Sequence, residues 1–94
     1  MLNNRVAQQE EIYRLKEEMI GQTYRHFKGN TYRVIDLAVH SESAEPLVIY
    51  KSTGDNDYTW ARPLSMFLSP VDKEKYPEIK QEMRFEKIHP YENI

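Results

Sequence analysis

Seven tyrosines, three histidines, one tryptophan and a scattering of arginines are the side chains here with chemistry to offer, because the chain has no cysteine. Their spacing is suggestive. Side chains two apart on an extended strand share a face. Tyr24, His26 and Lys28 alternate in this way, Tyr32 and His40 fall on one face of the next apolar segment, and Trp60 and Arg62 are again two apart, with Tyr50 between. If those faces converge, they line a groove of ring surfaces with Arg and His donors. A guanidinium forks phosphate and a ring stacks on a base, so such a groove suits a small planar or phosphate-bearing ligand such as a nucleotide. The competing expectation is that the rings fill a small β core with their polar tips at its rim.

Other chemistries find less support. Without cysteine there is no thiol nucleophile, thiolate metal site or disulfide. His40 and Glu42, with His26 nearby, would make three N/O ligands for zinc, yet the spacing matches no metal motif and His-Ser-Glu at a strand end reads as a turn. Ser41 beside His40 is no catalytic pair, since sequence neighbours on a strand diverge. Asp55-Asn56-Asp57 lacks the glycine and the distal glutamate of a calcium loop. Gly29 alone is not a phosphate loop. No catalytic residue, metal or cofactor is therefore assigned, and an enzyme is the least supported class.

The elements that must position these residues are legible. Residues 4–20 carry Ile12, Leu15 and Met19 at helical spacing, with Asn3 or Asn4 as cap and Gly21 as the residue that ends the helix. Glu10–Arg14 and Arg14–Glu18 are i,i+4 pairs, while the first turns are weakly apolar and need a partner to be held. Residues 22–28, 31–40, 46–52 and 58–62 read as strands, separated by Gly29-Asn30, by polar residues 41–45 and by residues 53–56. Strand 31–40 is apolar on both faces, with Ile35, Leu37 and Val39 on one and Val34 and Ala38 on the other, which fits a strand bent at a barrel corner. Residues 64–68 form an apolar knot of one helical turn, 69–82 a solvated connector and 83–88 a closing strand.

The run Tyr24-Arg25-His26-Phe27-Lys28-Gly29-Asn30, followed by Tyr32-Arg33-Val34, resembles the opening of a small bacterial family, domain of unknown function 1653. The likeness continues through Ala38-Val39-His40-Ser41-Glu42 and Leu47-Val48-Ile49-Tyr50. It ends with Trp60-Ala61-Arg62-Pro63-Leu64-Ser65-Met66-Phe67-Leu68, so that it covers roughly residues 21–88. The resemblance implies a compact, mainly β module and carries no activity, substrate or catalytic set. The N-terminal helix lies outside its pattern, and the 53–57 loop departs from the longer apolar stretch of many relatives.

Length and composition bound the rest. Ninety-four residues, 39% hydrophobic and 30% charged, with a mean hydropathy of −0.80, suit one small soluble unit. The expectation is a mainly β fold, a small SH3-like or partly open β-barrel with an N-terminal α-helix, divided into a helix at 1–20, a barrel at 21–88 and a tail at 89–94. No apolar run reaches the length needed to cross a bilayer, and no export signal opens the chain, which makes a cytoplasmic setting the default. Thirteen Lys and Arg against fifteen Asp and Glu give a net charge of −2, against a nucleic-acid binder with a basic coat. That total hides an asymmetry. Arg25, Lys28 and Arg33 make the first hairpin basic, and Glu42, Glu45, Asp55 and Asp57 make the following loops acidic. The functional expectation is a non-catalytic binding module for the planar or phosphate-bearing ligand above. The alternative is a protein-interaction module, with a homodimer through the Ile12/Leu15/Met19 stripe, and behind it single-stranded nucleic-acid binding.

Overall fold

The computed structural model describes residues 4–54 and 58–89. The expected cap at Asn3, the turn at 55–57 and most of the tail lie outside them. Helix α1 (Asn4–Met19) leads into five strands, β1 (Thr23–His26), β2 (Thr31–Val39), β3 (Pro46–Ser52), β4 (Thr59–Pro63) and β5 (Phe85–Ile88), with a single-turn helix α2 (Leu64–Phe67) after β4. All strand pairs are antiparallel and the order across the sheet is β4-β3-β2-β1-β5. Strands β1 to β4 form a meander, and β5 returns to pair with β1.

The sheet is open, with β4 and β5 as its two edges. It curls far enough for the edges to meet through side chains: the Arg62 guanidinium on β4 lies 5.4 Å from the Phe85 ring centre on β5. The expected mainly β fold with an N-terminal helix is thus present, as an open five-stranded sheet that does not close into a barrel.

β2 carries the feature that its two-sided apolar pattern hinted at. Val34 pairs with Tyr50 and Asp36 with Ile49, so Ile35 is an extra residue with no partner on β3. Such a bulge bends the strand and resets its alternation by one. Val34 and Leu37 consequently share the core face, both buried, while Ile35 is left 44% exposed. This corrects the expected grouping of Ile35 with Leu37 and Val39. It also moves His40 off the face of Tyr32.

One face of the curled sheet holds the core. Phe67 of α2 is fully buried, with its ring stacked on Phe85 at 4.1 Å between centres. Tyr24 and Tyr50 meet its edges at 5.2 and 5.6 Å. Val34, Leu37 and Val48 complete this layer, and Met19 and Leu15 of α1 pack against it. Leu15 and Met19 of the expected stripe therefore face this chain's own sheet, while Ile12 lies outside the core cluster. Helix α1 stops where expected: Gly21 has φ +82, a left-handed conformation that a Cβ would penalise, and its N–H turns to Val34 of β2. The i,i+4 pairs of α1 do not close. Among the described residues the ion pair is instead Lys16–Asp36 at 3.6 Å, from helix to sheet, and as an exposed pair it adds little to stability. No described helix is long and apolar enough to cross a membrane.

Candidate functional site

At the end of β1 the chain turns sharply. His26 C=O accepts from the Gly29 N–H at 2.8 Å, and Gly29 takes φ +109, closing the Phe27-Lys28-Gly29-Asn30 turn. The connector after α2 folds back over this turn and is not free in solvent. Phe27 N–H donates to the Arg84 carbonyl at 3.0 Å, and Gln81 Nε2 donates to the Arg25 carbonyl at 3.0 Å. Phe27 and Tyr76 then pack at 4.9 Å between ring centres.

Between turn, connector and the curled β4 edge lies a cleft of about 300 Å³, lined by His26, Phe27, Lys28, Arg62, Asp72, Lys75, Tyr76 and Arg84. That volume stands at the lower end for small-ligand sites, roughly 300–1,000 Å³. Four of the eight residues are cations and one is a carboxylate. Asp72 Oδ1 already accepts from the backbone N–H groups of Glu74 and Lys75, at 3.1 and 3.3 Å, and shapes the connector turn. None of the four cations has a carboxylate within 4 Å among the described residues.

Each cation is nevertheless positioned. Arg62 Nε donates to Tyr50 Oη at 3.2 Å while its guanidinium lies over Phe85. Lys28 and Lys75 flank Tyr76, with ammonium groups 5.7 and 5.5 Å from its ring centre. Arg84 has a buried Nε with no hydrogen-bond partner. A buried guanidinium N–H left without an acceptor is costly, and the charged side chain that carries it lines the cleft, where an anion is the natural complement of a guanidinium.

The electrostatics agree. His26 stacks on Phe27 at 4.4 Å, and its Nδ1 accepts from the Lys28 N–H at 3.1 Å, so the neutral ring carries its proton on Nε2. Burial, and then the positive charges of Arg62, Lys28 and Arg84, hold its pKa below the usual 6.5. Stability follows from the sign. With the folded pKa below the unfolded one, the unfolded chain binds the proton first as the pH falls. The contribution from His26 is thus present above pH 6.5 and is lost as the pH falls through that value towards the lower folded pKa. We expect Tm to fall more steeply just below pH 6.5 in the wild type than in His26→Gln, and parallel Tm-versus-pH curves from the two chains would exclude this origin.

The seven residues expected to form a groove are partly brought together. Tyr24, His26, Tyr32, Tyr50, Trp60 and Arg62 share the core face of the sheet by register. Their middle is closed, because Phe67 and Phe85 occupy the space between them: Tyr24 and Tyr50 are buried and Tyr32 packs on both Tyr50 and Phe85. Burial raises the Tyr24 pKa further, with Glu18 adding to it. Only His26 and Arg62 reach the cleft. Trp60 stands outside the core, 45% exposed, tilted against Tyr58 at 5.6 Å. His40 lies beyond the far end of β2, on the order of 25–30 Å along the strand from the His26 turn. There its Nδ1 accepts from the Glu42 and Ser43 N–H groups at 3.1 and 3.2 Å, which is the turn its sequence context implied. Lys75, Tyr76 and Arg84 were not legible as site residues. The one available signal, cations and an aromatic in a proline-bounded connector, reads equally well as a solvated face.

No curated protein and no solved structure matches this chain. A family model does, over residues 22–87, which span β1 through most of β5 and so include every cleft residue. The chain therefore belongs to the family described as "Protein of unknown function (DUF1653)".

Proposed function

We propose that this protein is a non-catalytic binding module whose basic cleft takes the phosphate of a small ligand, with a nucleotide as the fitting class. What carries this reading is the buried, unpartnered Nε of Arg84 in a cleft of four cations that no described carboxylate pairs. A group so arranged costs folding free energy unless an anion completes it. The nucleotide class rests on Trp60, two residues before Arg62 on the same face of β4, which leaves an exposed ring roughly 7 Å along the strand from a cleft arginine. Rings beside a basic groove are a general means of holding bases. A cytoplasmic setting, where such ligands abound, belongs to the same proposal.

The test is thermal shift with inorganic phosphate, pyrophosphate and adenosine monophosphate, with the fluorescence of the single tryptophan read in parallel. A ligand bound only by the folded state raises Tm, by about 2.7 kcal/mol of stability at a hundred times its Kd. Phosphate compounds are expected to raise Tm, and the nucleotide also to quench Trp60. If no phosphate compound moves Tm, the anion site is refuted. If Tm rises without quenching, the nucleotide class is.

A further inference from the structure

A second cavity, of about 620 Å³, lies at the opposite end of β2 from the basic cleft, and it has the reverse character. Its walls are Ile12 and Leu15 of α1, Val39 and Pro46 of the sheet, and Leu64 and Leu68 around α2. It exists because α1 leaves the sheet. Leu15 and Met19 pack on the core, but the residues before them are Ala7, Gln8, Gln9, Glu10 and Glu11, all exposed and too polar to close the gap. Two large apolar side chains stay open at the rim, Val39 at 52% and Leu68 at 44% exposure. The loop on the far side is held rigid: Ala44, itself a wall residue, sits at φ +61, pinned by hydrogen bonds that join His40 to Ala44 and to Glu45, each 2.8 Å. Non-glycine residues in that region are strained and persist where the surroundings demand it.

Charge identifies the occupant. Among the described residues the lining contains the carboxylates Glu11 and Glu45 and no Lys, Arg or His. Neither carboxylate has a cation within 4 Å among the described residues. A second copy of α1 carries four glutamates against Arg5, Arg14 and Lys16, a net negative charge that does not complement this rim. The α1 wall runs from Gln8 to Leu15, about 10 Å or two helical turns. We propose that this groove docks a short amphipathic helix of a partner protein, with apolar anchors at helical spacing and Lys or Arg on its flanks, the helix-in-groove mode of recognition.

A labelled helical peptide made of leucine and lysine alone, with leucines at helical spacing, tests this on the full chain by fluorescence anisotropy. Leu68→Lys alters an exposed rim position and leaves the core alone, and the pair Glu11→Lys/Glu45→Lys removes the complementary charge. We expect saturable binding to the wild type, weaker by at least about tenfold in each variant, and unchanged in Arg84→Gln, which alters only the basic cleft. Circular dichroism confirms that the variants are folded. Absence of binding to the wild type, or affinity unchanged by Leu68→Lys, overturns the proposal. So does sedimentation showing a wild-type dimer that Leu68→Lys dissociates, which would assign the groove to a second copy.

Discussion

Phe67→Ala is expected to unfold this protein at or near physiological temperature. Phe67 lies in a helix of one turn, yet its ring is the centre of the core. It is fully buried, stacked on Phe85 and contacted edge-on by Tyr24 and Tyr50. Truncating a buried Phe costs about 3–5 kcal/mol in lost transfer free energy and cavity formation. A chain of this size has about 5–14 kcal/mol in total. Its neighbours cannot collapse into the space, because Tyr24, Tyr50 and Phe85 are anchored on three different strands. At about 4–8 °C per kcal/mol, Tm should fall by roughly 12–40 °C in calorimetry or circular dichroism. A fall of only a few degrees would mean that α2 caps a core already closed without it. The substitution also removes what separates the three tyrosines from a groove, so a partly folded variant would expose apolar surface and not gain a site.

Arg84→Gln should weaken anion binding by about ten- to a hundredfold, the loss of one charge-assisted contact at about 1.5–3 kcal/mol. Arg84 is the informative choice. Arg62 also donates to Tyr50 and lies over Phe85, so replacing it would disturb packing at the sheet edges. The Arg84 side chain, by contrast, has a buried Nε that bonds to nothing, while its backbone is tied by its own N–H to the Ser69 carbonyl at 2.9 Å. The glutamine keeps that backbone bond and drops a positive charge that helps hold down the His26 pKa. Without ligand, Tm should therefore not fall. Isothermal titration with pyrophosphate reads the affinity. A wild-type affinity in Arg84→Gln would show that the Arg84 side chain is not part of the site.

Much of this fold was legible because its signals are local. The helix end at Gly21 and the turn at Gly29 follow from backbone conformations that glycine adopts without penalty, and both have positive φ. The four meander strands and the helical turn after Pro63 lie within a residue or two of their expected bounds, apart from an early end to β1 at His26. The aromatic alternation was equally legible, and it correctly put Tyr24, His26, Trp60 and Arg62 on one face of their strands. Parity failed in β2. A single unpaired residue, Ile35, shifts every later position by one, and a bulge is decided by pairing with β3 and not by the composition of β2.

The candidate site was less legible, for a related reason. The cleft draws on the first hairpin, the β4 edge, the connector and the residue before β5, segments up to 58 positions apart from His26 to Arg84. What joins them is curvature of the sheet and the return of β5 to β1, neither of which has a residue pattern. By itself the sequence determined a small, cysteine-free, aromatic-rich β unit with a basic first hairpin, since composition, periodicity and turn chemistry act over a few residues. Which rings became core and which cations became a cleft was decided by the tertiary structure alone. Phe67 and Phe85 reach the space between the tyrosines first, because burying four rings against one another removes more apolar surface from water than an open groove would. The charges that could not be buried with them were left to gather at the rim.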